Sequence, residues 1–244
     1  MAAAGGEPDL AAVASAFADP RRVRALLALA DGRALPAGRL AEEAGVSAST
    51  ISNHLAQLLD RGLVSVERQG RNRYYRLATP HVEAVLESLA RLAPQKPITS
   101  LRESTRARVL RDGRTCYHHL AGRLGVSLFR SMLDRAWIVG GDGRHHAGDR
   151  LSAAGRGHQY RLSPAGSAEL TAWGLPASTL RRNRPLSYCV DWTEQEHHLA
   201  GPLGTAVTEH LFTRGWIVRG RVHRSVQLTE AGRAGLVDLV RAAS

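Results

Sequence analysis

SASTISNHLAQLLDRGLV, residues 47–64, decides how the first third of this 244-residue chain folds. Ser47 is a good helix N-cap, because its side-chain oxygen can accept an otherwise orphaned N–H of the first turn. Ile51, Leu55 and Leu58 recur at i, i+4 and i+7 and predict one apolar face. Ser49, Thr50, Ser52, Asn53, His54 and Gln57 are expected on the other face. These are short donors and acceptors with no acid among them, so a phosphate backbone is not repelled. Gly62, after Arg61, stops the helix. Upstream, Ala37 to Gly45 reads as a shorter helix with Leu40, Ala41 and Ala44 inward, and Gly45-Val46-Ser47 as a tight turn. Helix, glycine turn and polar-faced helix make a helix-turn-helix, whose second helix lies in a DNA major groove.

The next residues extend this reading. Leu63 to Arg68 and Arg73 to Leu77 are two β-prone runs, with Gln69-Gly70-Arg71-Asn72 as the hairpin turn between them. A basic hairpin directly after a recognition helix is a wing. Ser47, Ser49, Thr50, Ser52, Asn53, His54 and Gln57 are therefore the expected major-groove contacts. Arg68, Arg71, Asn72 and Arg73 are expected at phosphate or minor groove. Earlier in the chain, Leu10–Phe17 and Pro20–Leu29 read as helices. Asp19 caps the second and Pro20 occupies its first turn, where a missing N–H costs nothing. After the wing, Pro80 starts a helix with Val82, Val85, Leu86, Leu89 and Leu92 in one stripe.

FADPRRVRALLALADG followed by LAEEAGVSASTISNHLAQLLDRGLVSVERQGRNRYYRL resembles the ArsR/SmtB group of winged-helix transcriptional regulators. The matching features are Asp19-Pro20-Arg21 opening a helix, Ser52-x-His54-Leu55 in the recognition helix, Gly62-Leu63-Val64, and Tyr75-x-Leu77 at the end of the wing. The resemblance covers about the first 94 residues. It implies a homodimeric regulator of double-stranded DNA, usually a repressor, with an imperfectly palindromic operator. It also implies a dimer interface on the first and last helices of this domain, here Phe17, Val82, Val85, Leu86 and Leu89. The metal-sensing positions of that group are not filled. Leu40-Ala41-Glu42-Glu43-Ala44 lacks their cysteines, and the helix after the wing offers only His81, Glu83 and Glu87.

Charge is distributed unevenly. The chain carries +11. Residues 1–94 hold 11 arginines against 10 acids, and residues 95–244 hold 22 basic residues against 12 acids. The second half therefore lies near phosphate, binds another anion, or has an arginine-rich surface. Apolar residues make up 43%, enough for a substantial core. No run of about 18 apolar residues predicts a membrane span. MAAAGGEPDL lacks the pattern of a signal peptide. A cytoplasmic protein is expected. Two cysteines, Cys116 and Cys189, are too few for a disulfide framework.

Pro94-Gln95-Lys96-Pro97 marks a boundary, and Ser100-Leu101-Arg102-Glu103 is a capping box that opens a new helix. Beyond it the chain repeats itself. His119-Leu120-Ala121-Gly122 returns as His198-Leu199-Ala200-Gly201, and Trp137-Ile138-Val139 as Trp216-Ile217-Val218, both 79 residues later. Leu162-Ser163-x-x-Gly166 returns as Leu228-Thr229-x-x-Gly232, 66 residues later. The 13-residue difference lies in a His/Gly-rich insertion between Gly140 and Tyr160, expected to be a long loop. Each copy reads helix, helix, strand, hairpin, strand, helix. The second helices are apolar, with Leu128, Phe129, Met132 and Leu133 in one copy and Val207, Leu211 and Phe212 in the other. HHLAGRLG with DWTEQEHHLAGPLG resembles the C-terminal module fused to some ArsR-type regulators, which typically has an aspartate where His118 stands.

The expected fold is mainly α with small β-hairpin wings. It comprises an N-terminal winged helix (1–94), a linker and connecting helix (95–113), and a C-terminal domain of two degenerate winged-helix-like repeats (114–244). The copies run over about 114–174 and 187–244. The second domain is expected to be regulatory, with a small-molecule effector site between the copies. Its candidate residues are Cys116, His118, His119, Cys189, Asp191, Trp192, His197 and His198. The same residue types would suit a metal or a thiol switch, but Cys116-x-His118 and Cys189-x7-His197 match no standard metal spacing, so neither metal nor cofactor is assigned. No glycine-rich phosphate loop, carboxylate pair or nucleophile elbow supports an enzyme. A non-specific architectural DNA-binding protein is the other alternative.

Overall fold

The computed structural model describes residues 7–30, 32–93, 101–146, 160–180 and 184–236. The Pro94–Pro97 boundary, Ser100 and most of the His/Gly-rich insertion lie outside them. The chain forms two compact units, residues 1–86 and 87–244.

Unit 1 begins with α1 (Leu10–Phe17) and α2 (Pro20–Leu29). Asp19 caps α2 by accepting from the amides of Arg21 and Arg22, at 2.7 and 3.0 Å. Next come β1 (Leu35–Pro36), α3 (Ala37–Ala44) and α4 (Ala48–Asp60). Gly45 ends α3 with φ +69°, a left-handed conformation that a side chain would resist. Two strands follow, β2 (Val64–Gln69) and β3 (Asn72–Leu77), joined by the two-residue turn Gly70-Arg71. β1 was not anticipated. It pairs antiparallel with β3, Leu35 opposite Tyr75, giving a sheet of order β1-β3-β2. Pro36 is tolerated because β1 is an edge strand. α5 (Pro80–Leu92) closes the series.

Leu26, Leu29, Leu40, Ile51, Leu55 and Leu58 form the helical part of the core, joined by Val64, Tyr75 and Leu77 from the wing. Val82 and Leu86 of α5 are buried in this same core, and Phe17 packs against it. These three therefore pack on their own unit rather than offering a free dimer face. Val85, Leu89 and Leu92 remain exposed along α5, and Leu10 and Val13 along α1.

Unit 2 opens with α6 (Leu101–Asp112) and then runs through one series of elements twice. The first series is β4 (Arg114–Cys116), β5 (His119–Ala121), α7 (Gly122–Asp134), β6 (Ile138–Val139), β7 (Arg161–Leu162) and α8 (Pro164–Ala172). After a 3-10 turn at Ala177–Thr179, the second is β8 (Tyr188–Val190), β9 (His197–Leu199), α9 (Gly201–Thr213), β10 (Ile217–Arg219), β11 (Val226–Leu228) and α10 (Glu230–Gly235). Where a first helix was expected in each series, a β-hairpin stands instead. Gly125 and Gly204 explain the compactness of the strand-to-helix step. A Cβ on Gly204 would sit 2.7 Å from the Leu199 carbonyl oxygen, and one on Gly125 would strike that of Leu120. Ser163 and Thr229 cap α8 and α10 through the amides of Gly166 and Gly232, both at 3.0 Å, as their spacing predicts.

The two series interlock reciprocally. Val226 N donates to Gly113 O beside β4, and His197 N donates to Gly143 O beside β9, at 2.9 and 2.8 Å. Leu120 N donates to Thr208 Oγ1 of α9 at 2.9 Å. One apolar core runs through both series, from Leu128, Phe129 and Met132 to Val207 and Leu211.

Candidate nucleic-acid interface and a buried cysteine–histidine cluster

α4 presents one continuous polar face. Ser49, Ser52, Asn53 and Gln57 are exposed and Thr50 is half-buried. Ser47 Oγ accepts from Thr50 N at 3.3 Å and lies 3.0 and 2.9 Å from the hydroxyls of Ser49 and Thr50, so this first turn is held as a small network. Gln57 is held too, its Oε1 accepting from Arg22 Nη1 at 3.0 Å. Arg22 also donates to the carbonyls of Ser15 and Ala16, which ties α1, α2 and α4 together. Arg22 has no local sequence signal for this role, because its partner is 35 residues away.

His54 departs from expectation. It is buried, and neither ring nitrogen has a hydrogen-bond partner. Ile51, His54, Leu55 and Leu58 stand at i, i+3, i+4 and i+7, so position places His54 on the inner stripe whatever its polarity. It is not a groove contact.

The wing carries Arg68, Arg71, Asn72 and Arg73, all exposed. Arg71 is at the tip, and Arg68 stands opposite Arg73 in the ladder. Arg76 is paired with Glu67 at 2.7 Å and is already neutralised.

In unit 2 the effector candidates separate. Strand alternation sends His197 and His198 to opposite faces of β9. His197 Nδ1 lies 2.7 Å from the Tyr160 hydroxyl, which also accepts from Gly143 N. His118 is exposed on the β4–β5 turn. Trp192 is 37% exposed and its ring stacks on the Arg114 guanidinium, 4.6 Å from the centroid. Cys116, His119, Cys189 and His198 converge, with one ligand atom from each lying within 4.8 Å of the others. Burial, with His198, His118 and Arg224 adding to it, holds His119 well below the ordinary imidazole value of 6.5. The His119 and His198 rings are 5.3 Å apart. Four of the eight expected effector residues thus meet at this place. A cleft of about 370 Å³ in unit 2 lies elsewhere, between Thr179, Arg184, Leu186, Pro202 and Leu203.

Asp191 supports the cluster from behind. It is fully buried, and its Oδ2 accepts from Arg114 Nη2 at 2.9 Å and Gly122 N at 2.7 Å. Its Oδ1 accepts from the Thr193 amide and hydroxyl at 2.9 and 2.7 Å. His198 Nδ1 is 3.7 Å from Oδ2. Burial alone would raise the Asp191 pKa, but Arg114, His198, Thr193 and Gly122 outweigh it and hold the carboxyl well below its usual range.

The fold and exposed face of unit 1 define a winged helix-turn-helix DNA-binding protein. Residues 19–66 match the arsR family of bacterial regulatory proteins. Over 228 residues the chain is 35% identical to YdfF, an uncharacterized HTH-type transcriptional regulator of Bacillus subtilis, covering 93% of this chain and 94% of that one. The chain therefore belongs to the arsR family. It is also 42% identical over 86 residues to the HTH-type transcriptional regulator CmtR of Mycobacterium bovis, covering 35% of this chain and 72% of that protein. Among solved structures, NolR of Sinorhizobium fredii is similar at 33% identity, with 34% of this chain and 81% of that chain covered and a TM-score of 0.32. Among the described residues, no helix is long and apolar enough to cross a membrane.

Proposed function

We propose that the chain is a homodimeric, operator-specific repressor working in the cytoplasm. Residues 1–94 read DNA and dimerise, residues 95–113 connect, and residues 114–244 regulate. The observation that carries this reading is the α4 face of Ser49, Thr50, Ser52, Asn53 and Gln57, polar and uncharged as far as Asp60 at its C-terminal end, beside a wing with Arg68, Arg71 and Arg73 exposed. Groups of that kind on a helix suit base edges, and the wing arginines suit phosphate. The exposed apolar residues Leu10, Val13, Val85, Leu89 and Leu92 on α1 and α5 support dimerisation through those helices. The recurring order of elements in unit 2 supports two degenerate winged-helix units. The helices that follow each hairpin, α7 and α9, bury Leu128, Phe129 and Met132 and Val207 and Leu211, so they serve as a core rather than as readers.

A ligand of unit 2 acts by favouring one arrangement of the two DNA heads. Nuclease footprinting of the full chain on its upstream DNA tests the proposal. Discrete protected sites with imperfect twofold symmetry, half-sites about one helical turn or a multiple apart, are expected. Uniform coverage without preferred sites would favour a non-specific architectural protein instead.

A further inference from the structure

Among the described residues, Cys116, His119, Cys189 and His198 form a cluster with the chemistry of a metal centre, and their pairing is regular. In the first hairpin Cys116 stands opposite His119, and in the second Cys189 stands opposite His198. Each repeat thus delivers one cross-strand Cys–His pair to the same point. The turns differ in length, two residues against six, but the ladder brings the donors into register regardless. The helices make room reciprocally. Gly125 of α7 faces His198, where an added Cβ would be 3.7 Å from the His198 Cβ, and Gly204 of α9 faces His119 at 3.1 Å.

We propose that Cys116, His119, Cys189 and His198 form a four-coordinate site for a zinc-class divalent cation that clamps the two repeats together. Two thiolates and two imidazoles are a standard tetrahedral donor set for this ion. With bonds of about 2.3 Å to sulfur and 2.0–2.1 Å to nitrogen, the edges of such a tetrahedron are about 3.3–3.8 Å. The donor atoms lie within 4.8 Å of one another, and Cys189 Sγ is 4.0 Å from His119 Nε2. A contraction of about an ångström completes the site, within the reach of side-chain rotation. Charge also balances, because two thiolates neutralise a divalent ion in a place where a net charge would be costly. Arg114 is already neutralised by Asp191. Asp191 Oδ2 is 3.7 Å from His198 Nδ1, beyond hydrogen-bond distance but close enough for its charge to favour a cation beside the imidazole. Four protein donors leave no open position, so the site holds the repeats together and performs no catalysis. Cys189 is only half-buried and gives the ion a route in.

Cys116 and Cys189 are the chain's two cysteines, so any thiol readout reports on this cluster. The test uses reduced, metal-stripped full-length protein, titrated with Zn²⁺ and in parallel with Co²⁺ as a spectroscopic substitute. One equivalent per chain should bind, with thiolate-to-cobalt charge transfer and the visible bands of tetrahedral Co²⁺. One equivalent of Zn²⁺ should slow alkylation of both thiols, and a chelator should restore it. At a hundredfold excess over Kd the melting temperature should rise by roughly 5–10 °C. Cys189→Ser and His119→Ala should abolish these signals, while His118→Ala on the exposed turn should not. The alkylation assay reads the unaltered chain, so a variant that fails to fold does not decide the outcome. Unchanged thiol reactivity in saturating Zn²⁺, a Co²⁺ adduct without thiolate bands, or equal loss in His118→Ala would overturn the proposal. No DNA enters the assay, so its result is independent of the operator reading.

Discussion

Arg68 and Arg73 face each other directly across the wing, one on β2 and one on β3. Like charges at facing positions of a ladder repel. Both side chains are exposed, so water screens the repulsion, and a phosphate between them would turn it into attraction. Arg68→Ala or Arg73→Ala should therefore leave folding stability unchanged or slightly raised. Each should weaken binding to all duplexes alike and reduce the slope of log K against log salt by about 1. Arg76→Ala should do less, because Glu67 already holds that guanidinium. Anisotropy titrations at several salt concentrations measure all three. Equal slopes for wild type and variants would remove the wing from the phosphate contacts.

The exposed stripe on α5 separates dimerisation from folding. Val85 and Leu89 are 42% and 41% exposed, whereas Leu86 between them is 4% exposed. Val85→Glu with Leu89→Glu should give a folded monomer with weak operator binding. Leu86→Glu should unfold unit 1 instead, because it buries a charge in the core. Sedimentation velocity with circular dichroism distinguishes the two. A double variant that still sediments as a dimer would exclude α5 from the interface.

Asp191 and Arg114 form an ion pair with 0% and 2% side-chain exposure. Removing the carboxylate leaves a buried guanidinium uncompensated and orphans the Gly122 amide. Asp191→Asn should cost about 3–5 kcal/mol of stability. Urea unfolding of the variant reads this directly. A loss below about 1 kcal/mol would mean that water reaches Arg114 and replaces the pair.

Unit 1 was largely legible in the sequence because its signals are local. Caps, glycine stops and the 3.6-residue period act within a few residues, and Asp19, Ser47 and Gly45 stand where those rules place them. His54 is polar, yet its i+3 spacing from Ile51 sets it on the buried stripe, and spacing outweighs polarity there. Val82 and Leu86 belong to the core of unit 1, and a stripe of apolar residues does not by itself say which neighbour covers it. In unit 2 the repeat is visible as identical letters, but the strands of its hairpins carry no local signal that separates them from helices. His119-Leu120-Ala121 is extended only because Arg114-Thr115-Cys116 pairs with it. The cysteine–histidine cluster was hidden for the same reason. Linear spacing compared Cys116 with His118 and Cys189 with His197. The ladder instead pairs Cys116 with His119 and Cys189 with His198, and linear spacing does not express a cross-strand register.

Base preference at a single α4 position tests the central claim most directly. Asn53 is exposed in the middle of the polar face, and a side-chain amide there can make paired hydrogen bonds to an adenine edge. Binding of wild type and Asn53→Ala should be measured against a footprinted site and against its variants substituted base by base. Wild type should discriminate at one position per half-site by about 1–3 kcal/mol, and Asn53→Ala should lose that discrimination while keeping its salt slope. If Asn53→Ala keeps the full base preference at every position of both half-sites, α4 does not read the operator and the account is wrong.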